Sequence, residues 1–164
     1  MKKKLKIYVL ILSKVFPVKH PKKGEPTYFA EHLKNALEIH NQNFPMKLHT
    51  MRSNYEWWQH VFDEINKGEA CLSIRQWSGK PRASKQIEIA RLTKDDGIGL
   101  QKVLFSRFSD GAIYMDCCHI DGKDVQGNTV AHNDGLPYND WLAWFKQYDL
   151  NDPLAVIQFT KFRY

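Results

Sequence analysis

The chain has 164 residues, of which 43% are apolar, 13% aromatic and 26% charged, and it carries a formal charge of +6. That length fits one domain, and an apolar content near the globular average with five Trp, seven Tyr and nine Phe excludes a disordered chain. No apolar run approaches the ~20 residues that span a bilayer. Of three cysteines, Cys117 and Cys118 are adjacent, a poor disulfide framework that points to a reduced, cytoplasmic protein.

Lys2, Lys3 and Lys4 followed by the apolar stretch Leu5–Leu12 imitate a secretory signal. Ser13 and Lys14 cut that stretch short, and no small-x-small cleavage pattern follows. It is apolar on both alternating faces, which predicts a first β-strand covered on two sides. Pro17, Pro21, Gly24 and Pro26 break the next loop. Thr27 then opens an amphipathic helix, with Phe29, Leu33, Ala36, Leu37 and His40 at helical spacing, ended by the run from Asn41 to Pro45. Behind Met46–Arg52, Ser53-x-x-Glu56 reads as a capping box for a second helix built on Trp58, Phe62 and Ile65 and stopped by Lys67-Gly68.

Cys71–Trp77 and Lys85–Leu92 alternate as strands, joined by the basic connection Ser78-Gly79-Lys80-Pro81-Arg82. Val103–Phe108 and Ala112–Cys117 are two further strands. Residues 119–136, polar and rich in Gly, Asp and Asn, predict a long surface loop. A third helix follows on Trp141, Leu142, Trp144 and Phe145, whose spacing marks a core or dimer contact, and Leu154–Phe162 closes the chain as a strand. The expected fold is a small mixed α+β domain over residues 1–164, with five or six strands curled into a barrel and about three flanking helices.

Charge is unevenly spread. Residues 1–53 carry 11 positive and 3 negative charges, a net of +8, whereas 110–152 hold eight Asp and only two Lys. A concentrated positive face favours an anionic partner.

Lys47-x-x-Thr50-x-Arg52 sets three polar groups of different chemistry within six residues, in an expected loop anchored by the following helix. Arg52 can grip a phosphate or a planar base edge with paired donors, and Lys47 supplies a mobile point charge. Ser53 and the backbone N–H groups of the next helix would tolerate an anion. The plainer alternative is a polar loop facing water.

Lys47-Leu48-His49-Thr50-Met51-Arg52 resembles the signature of the ASCH family of the PUA-like superfamily. The order strand, helix, signature, helix, barrel strands is similar too, as is the close on Asp134-Gly135-Leu136, an aromatic helix and a last strand. Pro45 stands where that family usually has glycine, and the chain is longer than the family's compact enzymes. The resemblance implies a PUA-like β-barrel with the signature at the mouth of a cleft, and RNA or a modified nucleoside as partner. Some small bacterial members hydrolyse the amide of N4-acetylcytidine with a Lys-x-x-Thr pair and a distant glutamate. Lys47 and Thr50 have that spacing. Glu88, on the strand face opposite Ile87 and Ile89, is the glutamate chosen to complete the set.

Two functions follow. In a binding module, Lys47, Arg52, Arg75, Lys80, Arg82 and Lys85 contact phosphates, and Trp77 either stacks a base, worth roughly 1–3 kcal/mol, or plugs the barrel. In an amidohydrolase, Thr50 attacks the acyl carbonyl, Lys47 acts as base with its pKa lowered by burial and by Arg52, and Glu88 shuttles a proton. Neither needs a cofactor. No metal is expected, because Cys117, Cys118, His119, Asp121 and His132 lack paired ligand spacing and the two cysteines face opposite sides of a strand. His49 reads either as a ligand contact or as a strand residue on the outer face. Gly97-x-Gly99 lacks the third glycine of a dinucleotide loop.

Overall fold

Apolar alternation, turn chemistry and two buried polar bridges build this fold. The computed structural model describes residues 2–164. In chain order the elements are β1 (Lys6–Ile11), α1 (Phe29–Lys34), β2 (His49–Arg52), α2 (Tyr55–Asn66), β3 (Ala70–Trp77), β4 (Gln86–Leu92), β5 (Gly99–Arg107), β6 (Ile113–Ile120), β7 (Lys123–Gln126), α3 (Gly127–Asn133), α4 (Tyr138–Phe145) and β8 (Leu154–Gln158). The fold is mixed α+β, as composition and pattern lead one to expect.

The barrel expectation needs correction. Eight strands, not five or six, form two open sheets: a three-stranded sheet ordered β1-β3-β4 and a five-stranded antiparallel sheet ordered β2-β8-β5-β6-β7. β1 runs parallel to β3, with Ile11 opposite Arg75, and β3 pairs antiparallel with β4. β1 and β2 are thus edge strands of different sheets. Where a closed barrel would continue its ladder, the Arg52 guanidinium reaches from β2 and donates to the Ile11 carbonyl at 2.7 Å.

The core lies where the sheets meet. Leu10, Leu12, Leu72 and Ile74 supply one side, and Met51, Val103, Ile120 and Val156 the other. Trp58, Val61, Phe62 and Ile65 of α2 form the apolar stripe that the sequence predicts, and α2 packs on β3, β5 and β8. Its cap is Asn54 rather than Ser53. Asn54 sits at φ 62°, a left-handed conformation that asparagine adopts readily, and its side chain accepts from the Trp57 N–H at 3.3 Å. The first helix begins at Phe29, not Thr27, and ends in a wider turn over Asn35–Ile39, where His40 N–H bonds to Asn35 O at 2.7 Å.

The expected loop over 119–136 is mostly ordered. Asp121 and Gly122, both at positive φ, turn the chain from β6 into β7, and α3 follows at once. α3 (GNTVAHN) is too short and polar to show a period, yet Val130 and Ala131 are fully buried. The four helices therefore exceed the expected three by α3. Among the described residues no helix is long and apolar enough to cross a membrane.

Gly127 opens α3 against β6, and a Cβ there would lie 2.1 Å from the Met115 carbonyl oxygen. Gly127→Ala is expected to destabilise the fold by about 1–3 kcal/mol through overpacking against backbone. Gly79→Ala, whose Cβ would meet only Ser84 at 3.6 Å, should leave the urea midpoint almost unmoved. Equal midpoints for both variants would show that this close approach is not needed.

Candidate functional site

Lys47 stands at a junction of three segments. Its N–H donates to His32 O at 3.0 Å, and the next N–H, of Leu48, donates to Asn133 O at 2.8 Å. These bonds lay the chain beside the end of α3, and the side chain, 1% exposed, runs inward. Its ammonium donates to the Asp134 carbonyl at 2.8 Å and the Asp134 carboxylate at 2.6 Å, and lies 3.9 Å from the centre of the Phe29 ring. Gly135, at φ 79°, lets the chain pass close: a Cβ there would sit 3.3 Å from both Lys47 Cβ and His32 Nδ1.

Burial governs the protonation of this pair. It lowers the Lys47 pKa, with Asp134 opposing and Arg52 reinforcing the shift. Burial raises the Asp134 carboxyl, while Lys47, Arg52 and the Trp141 indole favour its ionised form. The indole N–H lies near that carboxylate without the geometry of a formed hydrogen bond. Lys47 is therefore a fixed, desolvated cation rather than the mobile point charge expected from the loop reading.

The signature itself is strand, not loop. β2 pairs with β8, so Thr50 and Arg52 share one face while His49 and Met51 share the other. Arg52 donates to Thr50 Oγ1 at 2.7 Å, to Met51 O at 2.9 Å and to Ile11 O at 2.7 Å. Its guanidinium is committed to the protein, which removes the paired grip on phosphate. Burial lowers its pKa, against the pull of Tyr148 and Asp134. The Thr50 hydroxyl, 3% exposed, accepts from Arg52 and gives its own proton to no acceptor among the described residues.

Lys47, Thr50 and Asp134 line one cavity of about 240 Å³. Phe29, Trp144, Phe145 and Tyr148 supply aromatic walls, and Ile11, Ser13 and Arg52 complete the lining. A larger cavity of about 560 Å³ adjoins it through Leu136. There Lys22 and Asp140 pair with each other at 2.6 Å, and the lysine is 46% exposed, so the desolvated charge lies in the smaller cavity.

The remaining predicted residues are dispersed. Glu88 is exposed on β4, outside the cavity lining; it accepts from Ser73 and, at 2.9 and 3.0 Å, from Arg91. The Ser73 bond first, and Arg91 second, hold its carboxyl below the usual range. The carboxylate in the cavity is Asp134, which the sequence reading took only as part of a closing pattern. Arg75 donates to Ser73 at 2.8 Å and Gln86 at 3.1 Å. Trp77 is half-buried at the end of β3, and Lys80, Arg82 and Lys85 stand exposed on the connection behind it. Ile11 links the two places, since it lines the cavity and pairs with Arg75. Ser53 is exposed and outside the cavity. His49 is fully buried rather than on an outer face, with Nε2 2.6 Å from the Tyr164 hydroxyl.

Compared with known proteins, the chain matches no family model, no curated protein and no solved structure. Its function must be argued from its own geometry.

Removing Lys47 would strand a buried carboxylate, so Lys47→Met should cost about 3–5 kcal/mol in urea unfolding, and adding Asp134→Asn should recover part of the loss. An unchanged midpoint in Lys47→Met would mean that the pair does not hold these segments together. His49 is held neutral, well below its ordinary pKa of 6.5, by burial and then by Lys47. The unfolded chain protonates it near that value, so the unfolded state binds the extra proton and stability falls with acidification below about pH 6.5, by up to ~1.4 kcal/mol per unit. His49→Gln should flatten that slope in urea titrations across the same window.

Proposed function

We propose that the cavity at Lys47, Thr50 and Asp134 binds a modified nucleoside, free or within RNA, as the ASCH resemblance implies. The observation that carries this reading is the convergence of a desolvated lysine, a hydroxyl with a free proton and a carboxylate inside aromatic walls. The cavity, about 240 Å³, falls below the roughly 300–1,000 Å³ that encloses drug-sized ligands, so it suits one base rather than a length of chain. Donors at Lys47 and Thr50 and the oxygens of Asp134 can read the polar edge of a base, while the aromatic walls offer stacking worth roughly 1–3 kcal/mol. The exposed Lys80, Arg82 and Lys85 would meet the phosphates of a polymer, and Trp77 would stack one of its bases. In this reading the two sheets, stitched by Arg52, take the part of a PUA-like barrel, and the protein works in the cytoplasm.

A second reading, hydrolysis of an N4-acetylcytidine-like amide, is favoured by one feature. The Arg52 cation bonds Thr50 Oγ1 and would stabilise the oxygen as its proton leaves, while burial disfavours the protonated form of Lys47. Once the Lys47 ammonium has given a proton to the Asp134 carboxylate that it bonds, Thr50 Oγ1 would attack the acyl carbon and pass its proton to the neutral amine of Lys47, which returns it to the amine nitrogen as the C–N bond breaks. Water then hydrolyses the threonyl ester to release acetate. Asp134, not Glu88, is the carboxylate beside this pair.

Calorimetry with N4-acetylcytidine, cytidine and a short single-stranded RNA tests both readings, with product chromatography alongside. Binding of either nucleoside that weakens at least tenfold in Thr50→Val supports the proposed site. Release of cytidine and acetate that stops in the same variant promotes the enzyme. Failure of all three ligands to bind sinks the proposal.

A further inference from the structure

A second cluster of chemistry-bearing side chains lies on the outer part of the five-stranded sheet, away from the Lys47 cavity. Cys117 and His119 stand two residues apart on β6 and therefore share a face. Asp124 on β7 is the direct cross-strand partner of His119. The Cys117 Sγ, a His119 ring nitrogen and an Asp124 carboxylate oxygen all lie within 4.8 Å of one another. Cys118 faces the other way and is buried in the core, so it takes no part.

The imidazole is already oriented. Its Nδ1 faces the Asp124 carboxylate, and its Nε2 lies 2.8 Å from the Ser106 hydroxyl on β5. The register of β5 and β6 shifts between Phe105 and Ser106, an irregularity of the kind that re-aims a side chain. Ser106 thus occupies Nε2 and leaves Nδ1 turned towards the carboxylate, with the thiol beside the pair. Metal-ligating histidines are held this way, with the second nitrogen bonded to an outer group that fixes the tautomer.

We propose that Cys117, His119 and Asp124 bind a zinc-like divalent transition metal ion. Thiolate, imidazole and carboxylate are a borderline-soft set that suits zinc and disfavours magnesium or calcium, which seek oxygen alone. The ion would sit between Nδ1, the carboxylate and the sulfur, replacing the histidine–aspartate hydrogen bond and releasing the thiol proton to solvent. Three protein ligands leave a fourth tetrahedral position to water, at a site whose three ligands are half-buried or exposed. Three adjacent strands carry the ligands and Ser106, so the chain need not rearrange to close around the ion. A serine nucleophile relayed through His119 is the competing use of the same groups, but Ser106 is not among the residues lining the Lys47 cavity or the cavity at Lys22 and Asp140. Neither the Lys47 site nor its proposed ligand enters this argument.

Chelator-treated protein titrated with zinc chloride by calorimetry should take up one ion per chain. Cobalt loading should give a thiolate-to-metal absorption band that Cys117→Ser abolishes. His119→Gln and Asp124→Asn should each weaken zinc binding at least tenfold with an unchanged circular dichroism spectrum, and Thr50→Val should bind zinc like the wild type. No saturable uptake, or uptake indifferent to Cys117→Ser, His119→Gln and Asp124→Asn alike, would overturn the proposal.

Discussion

A lysine with 1% exposure needs a partner, because an unpaired buried ammonium costs several kcal/mol and would give up its proton. Asp134 meets that need twice, with its carboxylate and with its backbone carbonyl, and the face of Phe29 adds a third favourable contact. The backbone around Lys47 is tied to α1 through His32 and to the end of α3 through Asn133. One ion pair therefore gathers three segments distant in sequence. A well-packed apolar pair would often be as stable in such a place, whereas breaking the pair on one side leaves an uncompensated buried charge.

Arg52 performs the complementary task at the cavity rim. It ties the edge of the five-stranded sheet to the edge of the three-stranded one through Ile11, and the same guanidinium holds Thr50. The cavity consequently holds two cations against one carboxylate, a balance that favours a ligand rich in carbonyl oxygen or carrying negative charge. Arg52 contributes to that field while its donors serve the fold. The basic connection after β3 is different: its lysines and arginine are exposed, and their effect on a polyanion would weaken with salt.

The reading of the sequence succeeded where a pattern is local. Helix α2 announces itself by the period of Trp58, Phe62 and Ile65, and β3 and β4 by alternation and a turn-rich connection. It failed where burial comes from elsewhere. β2 is four residues long and has no period of its own; it is a strand because β8 offers it a fully buried partner edge. α3 and β7 hide in a polar composition because only Val130, Ala131 and the pairing with β6 mark them. The cap of α2 moved by one residue because Asn54 accepts a left-handed backbone that a capping-box rule does not consider.

From residue order alone came the class of the fold, the basic first third and the grouping of Lys47, Thr50 and Arg52, since composition, periodicity and short spacing are properties of neighbours along the chain. Which carboxylate meets Lys47, which hydroxyl meets Arg52, and that Cys117 and His119 stand opposite Asp124 were decided only by the packing of the strands. Asp134 lies 87 residues from Lys47, and no local signal spans that distance. Glu88 satisfied every rule of alternation and still faces Ser73 and Arg91, because a strand's period says which residues share a face but not what that face will meet.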